Sequence, residues 1–298
     1  QDSITFTGSS HTGALLKRTP SLLANNVPFT MEADSLNCIV LGESVQPNDP
    51  EWDLFIKEVR KEMTLKSGQR CTGVRRIFVP QSHLTAVAES LQKALAQTII
   101  GSPLNEKVRM GSLAGMSQRE EVLTQVKKLL ASSQLIYGSL DSVEVVDADA
   151  IKGAFLSPLL LLNEKPFHSN EPHEIEAFGP VSTLMPYNGM EEAIALSKLG
   201  KGSLVTTIVT NNEQEAKKYV LGTASHHGRI LVLNRDCAKE STGHGSPLPL
   251  LVHGGPGRAG GGEEMGGIRG VKHYLQRTAL QGSPSMITAI TNVYLSLI

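Results

Sequence analysis

Lys66-Ser67-Gly68-Gln69-Arg70-Cys71-Thr72 places a cysteine on a turn between an amphipathic helical pattern and an apolar run from Arg75 to Val79. Two glycines, Gly68 and Gly73, flank it, and a short connection of this kind presents a side chain to its surroundings. Only the thiolate is nucleophilic, so a reactive cysteine here requires exposed backbone N–H groups or a neighbouring cation. The competing reading is a buried free cysteine, the ordinary fate of an intracellular Cys.

A second candidate lies near the start of the chain. Ile4-Thr5-Phe6-Thr7 reads as a strand, Gly8 to Gly13 as a turn, and Ala14-Leu15-Leu16-Lys17 as a helix that must end before Pro20. Strand, glycine turn and helix N-terminus make an anion site, because free N–H groups and the helix dipole both favour a phosphate. Alone, Gly8-x-x-x-x-Gly13 lacks the Lys-Ser/Thr ending of a P-loop and equally fits a plain βα turn.

These residues need elements to hold them. Val27 to Met31 is extended and delivers Glu32 at its end, and Asn37 to Leu41 is a further strand carrying Cys38 into the core. Asp49 then caps a helix with Pro50 at its first position, and Phe55, Val59 and Met63 repeat at four-residue spacing, with Ile56 beside them, on a core-facing side. Ser82 opens a helix with Leu84, Val87, Ala88, Leu91 and Leu95 on one side, and Ser117-Gln118-Arg119-Glu120 reads as a capping box ahead of Val122, Val126, Leu129 and Leu130. Strands at 135–137, 158–162, 184–187, 204–209 and 230–233 alternate with helices at 190–199 and 213–221. Such alternation calls for βαβ units and a parallel sheet covered by helices. Beyond Asn234, Gly and Pro become dense, and a stretch from His253 to Glu264 flanked by charged and His side chains reads as an ordered functional loop or a linker.

The composition excludes several classes. A chain of 298 residues with 40% hydrophobic content builds two modest domains or one large α/β unit. A net charge of -1 offers no field for nucleic acid or an anionic membrane, and 4% aromatics provide no stacking platform for single strands. Three dispersed cysteines, Cys38, Cys71 and Cys237, argue against a disulfide framework and for a reducing, cytoplasmic setting. No apolar run approaches the length that crosses a bilayer, no secretory signal is visible, and no Cys-x-x-Cys or His-Glu-x-x-His suggests a metal. The chain opens at Gln1 and enters a strand almost at once, so it reads as a piece of a longer polypeptide.

Four stretches in one order carry a resemblance: Phe6-Thr7-Gly8-Ser9, the strand-end Glu32, Gly68-Gln69-Arg70-Cys71, and Glu176-Ala177-Phe178-Gly179-Pro180-Val181. Together they resemble the aldehyde dehydrogenase superfamily. Thr30 to Cys38, Ser241 to Pro247 and His253 to Glu264 are similar to the ring-opening subgroup of phenylacetate degradation, in which the dehydrogenase module precedes an enoyl-CoA hydratase-like domain that hydrolyses oxepin-CoA. The resemblance implies an α/β fold of three αβα layers with mostly parallel sheets, from which the N-terminal part of the module is absent. It implies the end of a dinucleotide domain at residues 1–31, a catalytic domain at 32–233, a Gly-rich return towards the cofactor domain and site mouth at 234–281, and a linker towards a missing hydratase domain at 282–298.

By the same resemblance Cys71 is the nucleophile that attacks an aldehyde carbonyl, passing through a thiohemiacetal to a thioester after hydride transfer to nicotinamide. Glu32 is the base that activates the water hydrolysing that thioester, against the plainer reading of a surface carboxylate, and the Cys71 N–H supplies part of an oxyanion hole. Gly8 and Ser9 face the dinucleotide pyrophosphate, with Gly13 in the next helical turn; Glu176 holds the nicotinamide ribose, and Phe178 packs near its ring or in the core. The implied cofactor is NADP, with NAD possible, and the implied substrate a CoA-linked aldehyde, 3-oxo-5,6-dehydrosuberyl-CoA semialdehyde, oxidised to the acid by a homo-oligomer fused to the hydratase-like domain. The alternatives are a related aldehyde such as 3,4-dehydroadipyl-CoA semialdehyde, or a non-catalytic assembly module. Most relatives follow the base with Leu-Gly-Gly-Lys, whereas here it is Ala33-Asp34-Ser35-Leu36. Arg70 either helps to depress the thiol pKa or lies solvated on the surface. His244 and His253 either line an aldehyde tunnel or subunit contact, or stand in solvent.

Overall fold

A computed structural model describes residues 3–247 and 254–260. The chain begins with β1 (Ile4–Thr7), α1 (Ser10–Lys17), α2 (Pro20–Ala24) and β2 (Phe29–Glu32). β1 and β2 pair in parallel as a sheet of their own, with Thr7 beside Glu32. Next come β3 (Cys38–Leu41), α3 (Pro50–Thr64), β4 (Arg76–Pro80), α4 (Leu84–Ala96), α5 (Met116–Leu129), β5 (Gln134–Tyr137) and β6 (Leu159–Leu162). They are followed by α6 (Glu171–Glu174), β7 (Val181–Tyr187), α7 (Met190–Lys198), β8 (Ser203–Val209), α8 (Glu213–Thr223) and β9 (His227–Leu233).

The second sheet has seven strands in the order β5-β6-β7-β4-β3-β8-β9, and all pairs are parallel except β5 with β6. The inner strands β3, β4, β7 and β8 are buried along their whole length, as a sheet covered on both faces demands. Alternation decides which core each residue joins. Ile39, Leu41, Ile77 and Val79 pack with Phe55, Val59 and Met63 of α3 and with Val87, Leu91 and Leu95 of α4. Cys38, Val40 and Phe78 turn the other way, against Met190, Ala193, Ile194 and Leu196 of α7 and Tyr219 of α8. Leu159 and Leu161 meet Val122, Val126 and Leu129 of α5. The result is the expected three-layer α/β architecture. Among the described residues no helix is long and apolar enough to cross a membrane.

Three helix starts differ from the expectation. Asp49 occupies the N-cap of α3, but its carboxylate accepts from the Gln46 N–H (2.8 Å) behind it and caps nothing. Ser82 lies in a 3₁₀ turn, and α4 begins after His83. α5 begins after Gly115, so Ser117 is already helical and its hydroxyl bonds Gln118 Oε1 (3.1 Å) in place of a capping box. The linker expected at 282–298 and the end of the Gly-rich return from 261 lie outside the described residues.

Candidate active site

The site sits at the amino ends of β3, β4, β7 and β8, where the two sheets meet. Glu32 is the last residue of β2, Cys71 lies just before β4, and Glu176 to Gly179 lead into β7. The chain leaves α3 through Lys66, Ser67 and Gly68, all with positive φ (54°, 53° and 68°). Only glycine fits the third place, because a Cβ there would stand 2.2 Å from the Gly179 carbonyl oxygen. Side chains then pin the turn. Ser67 Oγ donates to Gly111 O (2.9 Å), and Gln69 Oε1 accepts from the Ala114 N–H (2.8 Å). Asn37 Nδ2 donates to the carbonyls of Cys71 (2.7 Å) and Gly73 (3.0 Å).

Arg75 ties this turn to the Glu176 segment. Its guanidinium donates to the carbonyls of Gly68 (3.0 Å), Arg70 (3.1 Å) and Gly179 (2.8 Å) and, through Nε, to Glu176 Oε1 (3.3 Å). Its Cζ also lies 5.4 Å from the Phe178 ring centroid. Neither Arg75 nor Asn37 figures among the sequence candidates. Arg75 reaches a partner 104 residues away, and no local pattern displays a pairing of that kind.

The structure brings Cys71, Glu32 and Glu176 together. Glu32 is buried (2% exposed), so it is not a surface carboxylate, and it accepts a hydrogen bond from the Cys71 thiol. Burial pushes that thiol up to about 11; the Glu32 charge, its hydrogen bond and the Glu176 charge add to the rise, and only the Thr72 N–H opposes them. The resting sulfur is therefore a protonated thiol, and the N–H group on it does not outweigh its surroundings. Burial likewise raises Glu176 to about 7 against the pull of Arg75, and the Asp34 charge assists the rise. The Ser35 N–H also reaches Glu176 Oε2 (3.3 Å).

Phe178 is not core: its ring is 40% exposed and borders a hollow of about 560 Å³ shared with Lys66, Ser67, Gln69, Gly111 and Gln118. Arg70 is neither a thiol activator nor solvated. Its Nη1 donates to both oxygens of the fully buried Glu62 carboxylate (3.0 and 3.1 Å), and burial raises the pKa of that carboxyl. His244 is not in solvent; it is fully buried, with Nδ1 2.7 Å from Thr207 Oγ1, and the next residue, Gly245, accepts from Thr72 Oγ1 (3.0 Å). His253 lies outside the described residues. Residues 254–260 of the Gly-rich stretch form an ordered loop beside Glu32, where the Ala33 N–H donates to Ala259 O (3.4 Å).

Gly8 and Ser9 lie on the turn into α1, and Gly13 is buried within that helix. Ser9 is the N-cap, its Oγ accepting from the Thr12 N–H (3.2 Å). Added Cβ atoms would meet Phe6 Cζ at 2.6 Å from Gly8 and Met31 Sδ at 2.2 Å from Gly13, so both glycines let α1 close on β1 and β2. The first turn of α1 already holds an anion: Asp34 accepts from the Ser10 N–H (3.1 Å) and Oγ (2.6 Å). A phosphate oxygen fits the same donors. The exposed Phe178 face, with the buried Glu176 beside it and Cys71 nearby, fits the flat ring and ribose of a nicotinamide.

The chain is similar to known proteins in sequence and in fold. The model of the aldehyde dehydrogenase family matches residues 1–280. A 3,4-dehydroadipyl-CoA semialdehyde dehydrogenase of Aromatoleum evansii is 38% identical over 255 residues, 86% of this chain and 50% of that protein. Protein MaoC of Klebsiella aerogenes is 51% identical over 183 residues, 61% of this chain and 52% of its own. The chain thus spans about half the length of these relatives. Among solved structures, aldehyde dehydrogenase C of Pseudomonas syringae, a cysteine-to-alanine mutant with NAD+ and octanal, superposes with a TM-score of 0.76 at 21% identity over 94% of this chain and 52% of that one. That likeness is one of fold.

Proposed function

Because the chain belongs to the aldehyde dehydrogenase family, we propose that its parent polypeptide oxidises a CoA-linked semialdehyde to the carboxylic acid through a thioester on Cys71. The observation that carries this reading is the hydrogen bond between a cysteine on a rigidly held turn and a buried glutamate. The dinucleotide, when bound, supplies the hydride acceptor. Gly8, Ser9 and Gly13 shape the turn that faces its pyrophosphate, while Glu176 and Phe178 hold the nicotinamide end. NADP is the proposed acceptor, with NAD as the alternative.

Cys71 must first pass its proton by way of the adjacent Glu32 carboxylate to solvent, and its sulfur then attacks the carbonyl carbon while the Cys71 N–H stabilises the oxyanion. The Thr72 N–H, which favours the charged sulfur, supports the first step. Once the thioester has formed, Glu32 takes a proton from the attacking water, and collapse of the tetrahedral adduct releases acid and thiolate. Arg75 and Asn37 hold the turn carbonyls throughout, which keeps the sulfur in place as charge develops.

The proposed substrate is 3-oxo-5,6-dehydrosuberyl-CoA semialdehyde. A second reading, 3,4-dehydroadipyl-CoA semialdehyde, is favoured by the name of the Aromatoleum relative, which matches across most of the chain. A fused hydratase-like domain and a homo-oligomer complete the proposal, and residues 1–31 and 32–233 are read as cofactor and catalytic parts. The test uses the full natural polypeptide and follows reduced dinucleotide at its near-ultraviolet absorbance with each aldehyde. The wild type turns over, preferring the longer substrate, and Cys71→Ala does not. Turnover that survives Cys71→Ala would overturn the mechanism; a preference for the shorter aldehyde would correct the substrate.

A further inference from the structure

The loop at residues 241–246 packs against the turn that carries Cys71. Thr72 Oγ1 donates to Gly245 O (3.0 Å), and a Cβ on Gly245 would run into the Arg70 guanidinium. The loop is itself held by charge: the His244 N–H donates to Glu58 Oε1 (2.6 Å), and Arg229 donates to the carbonyls of Gly243 (3.4 Å) and His244. The His244 ring is fully buried, with Nδ1 2.7 Å from Thr207 Oγ1 on β8. Its Nε2 closes no hydrogen bond among the described residues, yet the Thr72 backbone acts on the ring as an acceptor. A carbonyl only accepts, so the ring proton belongs on Nε2, and Nδ1 is left to accept from the Thr207 hydroxyl. Burial keeps the ring neutral, and the charges of Arg229 on β9, Arg70 on the turn and Lys61 on α3 add to this. The carboxylates of the cluster, Glu58 and Glu62 of α3, are engaged by Lys61 and Arg70. Thr72 is therefore gripped at its hydroxyl by Gly245 and faced at its carbonyl by His244, while Asn37 holds the carbonyls on either side of it.

We propose that His244 is a positioning residue for the reacting sulfur: its Nε2–H, set by Thr207, fixes Thr72 so that the Thr72 N–H stays aimed at Cys71 as the sulfur ionises. This inference rests on the function proposed above. The Thr72 N–H is what opposes the rise of the thiol, so its aim decides how readily the sulfur becomes a nucleophile. A donor already in place costs no reorganisation as charge develops. A ring with its proton on Nδ1 would instead set a lone pair against the Thr72 carbonyl and push it away. The Nε2 contact is loose in the resting site, as hydrogen bonds at reacting centres often are before the complex forms, and closes as the turn draws in around the sulfur.

The experiment uses the full polypeptide. It reads the rate at which iodoacetamide alkylates Cys71 against that of Cys237 in the same sample, by peptide mass spectrometry, together with kcat and KM for the proposed aldehyde. Gln places an amide N–H where Nε2 stands, whereas Asn reaches only the Nδ1 position. His244→Asn is expected to slow Cys71 alkylation about fivefold, the worth of one hydrogen bond, and to lower kcat about tenfold with KM held within about twofold. His244→Gln recovers both rates to within about twofold of the wild type. A ring that only fills the core gives the opposite sign, because loosening the site relieves the burial that raises the thiol and so speeds alkylation. Thr207→Val, which keeps the side-chain shape but not the donor, slows Cys71 in the same direction as His244→Asn and serves if that variant does not fold. Faster alkylation of Cys71 in His244→Asn, or equal losses in Asn and Gln, alongside normal aldehyde oxidation by the wild type, would overturn the positioning role alone. A wild type that binds NADP+ but oxidises no aldehyde would overturn the function on which it rests.

Discussion

Cys71 and Glu32 oppose each other in the resting site, because the carboxylate proposed as base also holds the proton on the proposed nucleophile. A thiol raised to about 11 is neutral below that pH, so without cofactor its alkylation rate climbs about tenfold per pH unit before levelling. Glu32→Gln removes the charge and weakens the acceptor, both of which raise the thiol pKa. Its alkylation profile therefore levels at lower pH, while aldehyde oxidation falls about a hundredfold or more for want of a base. A profile unchanged from wild type would show that Glu32 does not control the sulfur. Part of this site is legible from residues: Cys71, Glu32, Glu176 and Phe178 sit in stretches that resemble a family. The roles of Asn37, although it lies in a resembling stretch, and of Arg75 are not legible in that way, since a buried Asn or Arg acquires its meaning from carbonyls that only the fold brings to it.

At the scale of elements, the turn after α3 carries the site. Three successive left-handed residues spend backbone energy to deliver Cys71, and the fold retains them because Gly68 packs directly on Gly179. Gly68→Ala adds a Cβ 2.2 Å from a backbone oxygen at φ 68°, so the turn must shift. Misplacing the sulfur by an ångström costs on the order of a hundredfold in turnover, with a lowered Tm. Gly111→Ala is the control, because its Cβ would meet nothing within 4 Å and Tm stays at the wild-type value. Equal Tm and turnover in Gly68→Ala would remove the argument for strain. The buried strands and helix faces were legible because their apolar periods are strong. Helix starts at Ser82 and Ser117 were not, since a serine signals a cap only where the backbone already turns, and Gly115 and the His83 turn set those ends instead.

At the scale of the whole molecule, the two sheets differ in support. The seven-stranded sheet is covered on both faces, whereas β1 and β2 pair only with each other among the described residues and are mostly half-exposed. A two-stranded sheet has little independent stability. In the 298-residue chain, amides of β1 and β2 should exchange with deuterium orders of magnitude faster than those of β3, β4 and β8, and should slow in the full polypeptide with NADP+ bound. Uniform exchange across both sheets would contradict this division.

The most direct test of the account is to trap the acyl-enzyme. Glu32→Gln in the full polypeptide, mixed with the CoA semialdehyde and NADP+, is predicted to accumulate one acyl group on the Cys71 peptide, seen by mass spectrometry and absent from Cys38 and Cys237. Acid formed at the wild-type rate with no adduct on Cys71, or an adduct on another cysteine, would contradict it.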